Sequence, residues 1–317
     1  MSDDLPTATG IRPGGPDSGA DQELLDLVEE VEETVEQSTL WGEAWKTLRR
    51  NPMFIVGGAV AILMTLIAIF PGLFAGGVDP RDCDLTVARQ WPSAEHWFGT
   101  DLQGCDYYAN VIYGARISLA IGLLSVTGTM VLATILGTTA GYFGGLTDSL
   151  LSRFTDIFYG VPLLLGAMIL LTVTEQRSVF TVALALSIFG WMTAMRLVRS
   201  SVITVGNADF VAAAQASAGS TSQILVRHIM PNAISPVVSF MTIAMGGFIA
   251  SEATLTFLGI GLQAPEISWG LQINVGQSRF SSAPYLVFFP ALFLSFTVMS
   301  FMLMGDALRD ALDPDRS

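Results

Sequence analysis

Asp209-Phe210-Val211-Ala212-Ala213-Ala214-Gln215-Ala216-Ser217-Ala218-Gly219-Ser220-Thr221-Ser222-Gln223-Ile224-Leu225-Val226-Arg227-His228-Ile229-Met230-Pro231-Asn232 interrupts two apolar runs, each long enough to cross a bilayer. Asp209 is placed to cap an Ala-rich helix, Gly219 supplies a permissive turn, and Ser220 with Gln223 has capping-box spacing for a second helix. The stretch therefore reads as a short helix-turn-helix outside the bilayer. Ala212, Ala213, Ala214, Ala216 and Ala218 leave little projecting from the first helix, so another protein's backbone can approach it closely. Two plainer readings stand beside this one: an Ala-rich surface helix, or a DNA-reading unit. The latter needs a basic surface for phosphates, and only Arg227 and His228 are near.

The chain is 51% hydrophobic and only 14% charged, the composition of a polytopic membrane protein. Its net charge of -13 comes mostly from the first forty-odd residues, where Asp3, Asp4, Asp17, Asp21, Glu23, Asp26, Glu29, Glu30, Glu32, Glu33, Glu36 and Glu43 cluster. Residues 1–40 read as an acidic cytoplasmic tail, Gly/Pro-rich and disordered through Ala20. Leu24, Val28, Val31 and Val35 then share one stripe of an amphipathic helix over 21–37, either docking on a partner or only loosely formed in solvent. The acidic opening lacks the apolar core and cleavage site of a signal peptide.

Residues 41–317 read as one all-α membrane domain with six transmembrane helices, over about 53–74, 117–139, 157–173, 179–197, 233–257 and 285–304. An outer loop spans 79–115, and the polar loop spans 205–232. Trp41, Trp45, Lys46, Arg49 and Arg50 form an aromatic and basic collar before the first span. Six crossings put Arg12, Lys46, Arg49, Arg50, Arg153, Arg196, Arg199, Arg227, Arg309 and Arg316 on one side, against Arg81, Arg89, Arg116, Arg177 and Arg279 on the other. That bias predicts both termini and the 205–232 loop in the cytoplasm. Gly137, Gly141, Gly144 and Gly145, with Ala133 and Ala140, suit close helix packing, since lipid gives helices no hydrophobic reason to associate.

The 209–232 stretch resembles the EAA loop of ABC-importer permeases, the coupling helix that sits in a groove of the ATPase subunit; Ala213-Ala214, Gly219, Arg227-His228 and Pro231-Asn232 carry the likeness. The acidic head of that pattern is missing near Val211-Ala212, but the peptide-permease branch commonly has Tyr/Phe-Val-x-Ala-Ala there. His96-Trp97-Phe98-Gly99-Thr100-Asp101-Leu102-Gln103-Gly104-Cys105-Asp106, followed by Ile112-Tyr113-Gly114-Ala115-Arg116, is similar to a signature of the C-type subunit of dipeptide/oligopeptide/nickel permeases, with Cys105 where that family usually has Arg. Phe257-Leu258-Gly259-Ile260-Gly261-Leu262-Gln263-Ala264-Pro265 with Trp269-Gly270, and Gly305-Asp306-Ala307-Leu308-Arg309-Asp310-Ala311-Leu312-Asp313-Pro314, resemble two more of its motifs. The likeness runs from about Trp41 to Pro314 and excludes the acidic tail.

The resemblance implies a type I ABC importer transmembrane domain and half of a translocation path for di- or oligopeptides; nickel chelates or oligosaccharides are the alternatives within the family. Its implied partners are a second permease subunit, two ABC ATPase subunits or domains, an extracytoplasmic substrate-binding protein, and membrane lipid, with no nucleic acid. The chain has no Gly-rich loop ending in Lys-Ser/Thr, so it is expected to be no enzyme and to bind no cofactor, ATP and Mg belonging to the partner ATPases. The implied coupling residues are Ala212, Ala213, Ala214, Ala216, Ser217, Gly219, Arg227, His228 and Pro231. A β-branched residue at Gly219 should leave insertion intact and uncouple hydrolysis from uptake. Cys83 and Cys105, both on the oxidising side, are either a disulfide, contributing ~3 kcal/mol to loop order, or two buried thiols. No metal site is expected, because His96 is the only other good ligand nearby. Met245 and Glu252 are candidates for the substrate path, Glu252 being equally readable as a structural carboxylate paired with a polar neighbour. Asp156 and Arg153 read as a salt bridge near the inner mouth. An ion-driven secondary transporter is the rival of another class, but it would show charges in several spans, broken helices at mid-membrane and an internal repeat.

Overall fold

The computed structural model describes residues 40–174, 176–217 and 220–312. The expectations for the acidic tail and its 21–37 helix, and for Ala218, Gly219, Asp313 and Pro314, lie outside the described residues. The described chain is helical, its only β pairing being the isolated bridges Cys83–Cys105 and Thr100–Asp106. In order come α1 (Leu40–Leu48), α2 (Pro52–Ile69), α3 (Pro71–Phe74), α4 (Tyr107–Phe143), α5 (Gly145–Tyr159), α6 (Leu163–Val173), α7 (Val179–Gly206), α8 (Asp209–Ala216), α9 (Thr221–Ile224), a π-helical turn (Leu225–Ile229), α10 (Met230–Ala233), α11 (Ser235–Phe257), α12 (Trp269–Gln277) and α13 (Tyr285–Ala311).

Among the described residues, α2, α4, α7, α11 and α13 are each long and apolar enough to cross a membrane. The third span, expected over 157–173, is instead a bent pair: α5 and α6 meet at 79°. Pro162 is the N-cap of α6, and a proline disfavours helical geometry in the residue before it, so the helix breaks at Gly160-Val161-Pro162. Other boundaries move too: α2 ends at Ile69 instead of at 74, and α13 runs on to Ala311, past the expected 304. α4 starts at Tyr107, where the Asp106 carboxylate accepts from the Ala109 N–H, so it begins ten residues ahead of the expected 117 and shortens the 79–115 loop. α7 continues to Gly206, nine residues past the expected 197. Hydropathy located the apolar centres, while the polar ends of both helices are held by tertiary contacts.

α4 has 37 residues, roughly 55 Å of helix. Its second half lies along α7 because small residues line the seam: Ala133 and Ala140 are fully buried. A Cβ on Gly137 would stand 2.7 Å from the Met195 carbonyl oxygen, and one on Gly141 would stand 2.9 Å from that of Arg199. Backbones this close gain dispersion contacts, the attraction available to helices in lipid. Outward faces are apolar, with Ile62 and Ile69 of α2 and Ile135 of α4 more than half exposed, as suits helices whose solvent is hydrocarbon.

Candidate functional site

The 205–232 loop is a surface element rooted by a few apolar side chains. Val211, Ile224, Ile229 and Ala233 are buried in one cluster with Val202 of α7 and Val237 of α11. On α8 only Val211 is buried; Ala212, Ala213, Ala216 and Ser217 are exposed, Ala214 is half-buried, and Phe210 stands 47% exposed beside them. One buried residue in an eight-residue helix, with small side chains around the rest, leaves a smooth face on a fixed base. Asp209 is not the cap: Ala208 holds that position without a side-chain bond, and Asp209 occupies the first turn, where its charge complements the helix dipole. Ser220 does cap α9, accepting from the Gln223 N–H at 3.3 Å.

Arg227 and His228 lie in the π-helical turn, where the Met230 N–H reaches back to the Leu225 carbonyl. Pro231 explains the widening, since its ring in an α-helix would collide with the carbonyl four residues back, that of Arg227. The Asn232 amide donates to the His228 carbonyl at 2.7 Å. Arg227 and Pro231 are exposed and His228 is partly buried, so the basic pair sits on the loop surface.

The helices beside this loop are held by charge. Asp156 bonds to Arg196 at 2.7 Å rather than to Arg153, and the Arg196 guanidinium lies 4.1 Å from the Tyr159 ring centroid. Arg153 is on the same helix as Asp156, whereas Arg196 comes from α7 and closes a tertiary contact. Arg199 grips both oxygens of Asp148, joining α5 to α7 a second time.

At the other end of α4 the 79–106 segment is tied to itself and to the bundle. Cys83 and Cys105 are bonded across a separation of 22 residues, with Cα atoms 4.1 Å apart. Gly104, at φ 82°, precedes the bridge, and a Cβ there would run into the Asp84 carbonyl, so only glycine fits. The Thr86 N–H and hydroxyl hold the Asp84 carboxyl below its ordinary value. The Tyr285 hydroxyl donates to the Thr100 carbonyl, and Tyr108 donates to Phe74. Tyr107 donates to the Leu286 carbonyl, which Pro290, lacking an N–H, leaves free. Beside α12 a cavity of about 250 Å³ is lined by Asp101, Gln103, Asn110, Glu266 and Gln272 among others.

Glu252 lies at the outer end of α11. It is fully buried, and the hydroxyls of Ser118, Thr256 and Ser268 donate to it at 3.3, 3.0 and 3.2 Å, which favours the structural reading over the path-lining one. Met245 is partly buried against the cluster around Trp269. Thr256 lies four residues from Glu252 on α11, a spacing the sequence offers, whereas Ser118 and Ser268 join the set only on folding.

Residues 133–317 match the family described as binding-protein-dependent transport system inner membrane component, and residues 39–92 match the N-terminal TM domain of oligopeptide transport permease C. The oligopeptide transport system permease protein OppC of Bacillus subtilis is 38% identical over 87% of this chain and 90% of its own length. The dipeptide transport system permease protein DppC of Alkalihalophilus pseudofirmus is 38% identical over 86% of this chain and 90% of its own. The glutathione transport system permease protein GsiD of Escherichia coli is 37% identical over 87% and 91%. An amino acid ABC transporter crystallised with histidines superposes with a TM-score of 0.48 at 16% identity, covering 64% of this chain and 92% of that one. With the apolar helices already in place, the family match and the permease relatives identify a multi-pass membrane protein that belongs to the inner membrane components of binding-protein-dependent transport systems.

Proposed function

We propose that this chain is one of two membrane halves of an ATP-driven importer of di- or oligopeptides. A second permease subunit completes the path, an extracytoplasmic binding protein delivers the substrate, and two ABC ATPase subunits or domains hold ATP and Mg and do the hydrolysis. The chain itself catalyses nothing. Peptide is the substrate class because relatives that match along most of their length are named for oligopeptides, dipeptides and glutathione.

The observation that carries the reading is the exposed alanine face of α8 on its buried root. In the proposed assembly Ala212, Ala213, Ala214, Ala216 and Ser217, with Gly219 after them, sit in a groove of the ATPase, and Arg227, His228 and Pro231 flank the contact. Closure of the ATPases moves α8, and Val211, packed with Val202 and Val237, passes the motion to α7 and α11. In this reading the loop and both termini lie in the cytoplasm and the disulfide-bonded segment outside.

The test is Ala213→Trp in the co-expressed transporter. Ala213 is exposed, so the chain should insert and fold as before. The indole should keep α8 out of a groove shaped for alanine, abolishing co-purification of the ATPase subunits and peptide uptake by proteoliposomes. Retention of both by the tryptophan variant would rule this face out as the coupling surface.

A further inference from the structure

The buried carboxylate of Glu252 lies outside the coupling machinery described so far. It belongs to α11, the helix that leaves the coupling loop, and sits at its far end. Among the described residues no cationic side chain pairs with it, and its three donors are hydroxyls from α4 (Ser118), α11 (Thr256) and the residue that caps α12 (Ser268).

Each hydroxyl also accepts from a backbone N–H. Thr256 Oγ1 accepts from Leu262 at 3.1 Å, Ser118 Oγ from Trp269 at 3.3 Å, and Ser268 Oγ from Leu271 at 3.3 Å. One carboxylate thus reaches three main-chain amides through three relays, and two of those amides open α12. A carboxylate is the side chain for this position, because it can accept from all three hydroxyls at once and leaves each oxygen's lone pairs for an amide. Around the hub, Trp269 is fully buried, and its indole N–H donates to the Val111 carbonyl of α4 at 2.9 Å.

We propose that Glu252 is a positioning residue: through Ser118, Thr256 and Ser268 it fastens α12 and the 258–268 segment to α11 and α4. The wall of the extracytoplasmic mouth then moves as one body with the helix that leaves the coupling loop. This rests on the importer reading for its direction and purpose, while the fastening itself is a property of the chain alone. In this role Glu252 sets where α12 stands when the binding protein arrives.

The experiment combines two measurements. Spin labels at Thr254→Cys and Gln277→Cys, both exposed, report the α11–α12 distance in the full chain in nanodiscs; the two native cysteines are bonded and do not react. Glu252→Ala should broaden that distribution, and Glu252→Gln, which keeps the volume and most of the links, should leave it narrow. In the assembled transporter, the ratio of binding-protein-stimulated to basal ATPase should fall about tenfold in Glu252→Ala, the scale of a coupling between distant sites, and recover in Glu252→Gln. A native distribution and native ratio in Glu252→Ala would overturn the proposal. Should that variant fail to insert, Ser268→Ala removes one relay: broadening supports the hub, and an unchanged distribution sinks it. Broadening in a chain that retains no ATPase still supports the fastening and counts against the importer reading instead.

Discussion

Tyr107, Gly137 and Arg199 show how single side chains decide local geometry here. The Tyr107 hydroxyl satisfies a buried carbonyl that Pro290 leaves without a helical partner. Tyr107→Phe should therefore cost about 1–3 kcal/mol, the penalty of an unsatisfied buried acceptor, read as a lower unfolding temperature in detergent. Gly137→Val puts a branched side chain where the Met195 carbonyl already is. Overpacking of that kind costs about 1–3 kcal/mol and should shift the gel-filtration peak of the solubilised protein toward aggregate. Small residues along the α4 seam could be recognised from spacing alone. The acceptor for Tyr107 could not, because it comes from the far end of the chain.

At the level of elements, α5 is joined to α7 by two ion pairs of different kinds. Arg196 and Asp156 are each about half exposed, with side-chain exposures of 50% and 53%, so Arg196→Ala should cost less than about 1 kcal/mol. Arg199 makes a two-point grip on Asp148 and is less exposed, so Arg199→Ala should cost more, about 1.5–3 kcal/mol for a charge-assisted contact. A thermal-denaturation cycle on the two pairs checks the order, and equal losses would show that geometry does not distinguish them. The disulfide acts on the opposite end. Closing 22 residues contributes up to ~3 kcal/mol, so Cys83→Ser with Cys105→Ser should speed hydrogen exchange in the 84–104 segment. A sequence pairing of Arg153 with Asp156 looked reasonable because neighbours on one helix are easy to read; the Arg196 partner required knowing that α5 folds back along α7.

For the whole molecule the testable quantity is sidedness. α4 alone separates the coupling loop from the disulfide-bonded segment by the length of a bilayer crossing. In sealed inside-out vesicles, an impermeant thiol reagent should label Ser222→Cys and spare Gln263→Cys, both exposed positions. In right-side-out vesicles the pattern should reverse. Labelling of both from the same face would remove the coupling reading and the positive-inside assignment together.

The membrane class, the apolar centres of the spans, the helix-turn-helix at 209–232 and the family motifs follow from the sequence, because hydropathy, alanine content and local turn chemistry are properties of contiguous residues. The tertiary structure decided what depends on distant partners. It extended α4 and α7 beyond their apolar cores, gave Asp156 to Arg196, and brought Ser118 and Ser268 to Glu252, while the break before Pro162 is local chemistry that hydropathy alone passes over. Glu252 is the clearest case: fully buried, it takes its hydroxyl partners where no water is present to supply one.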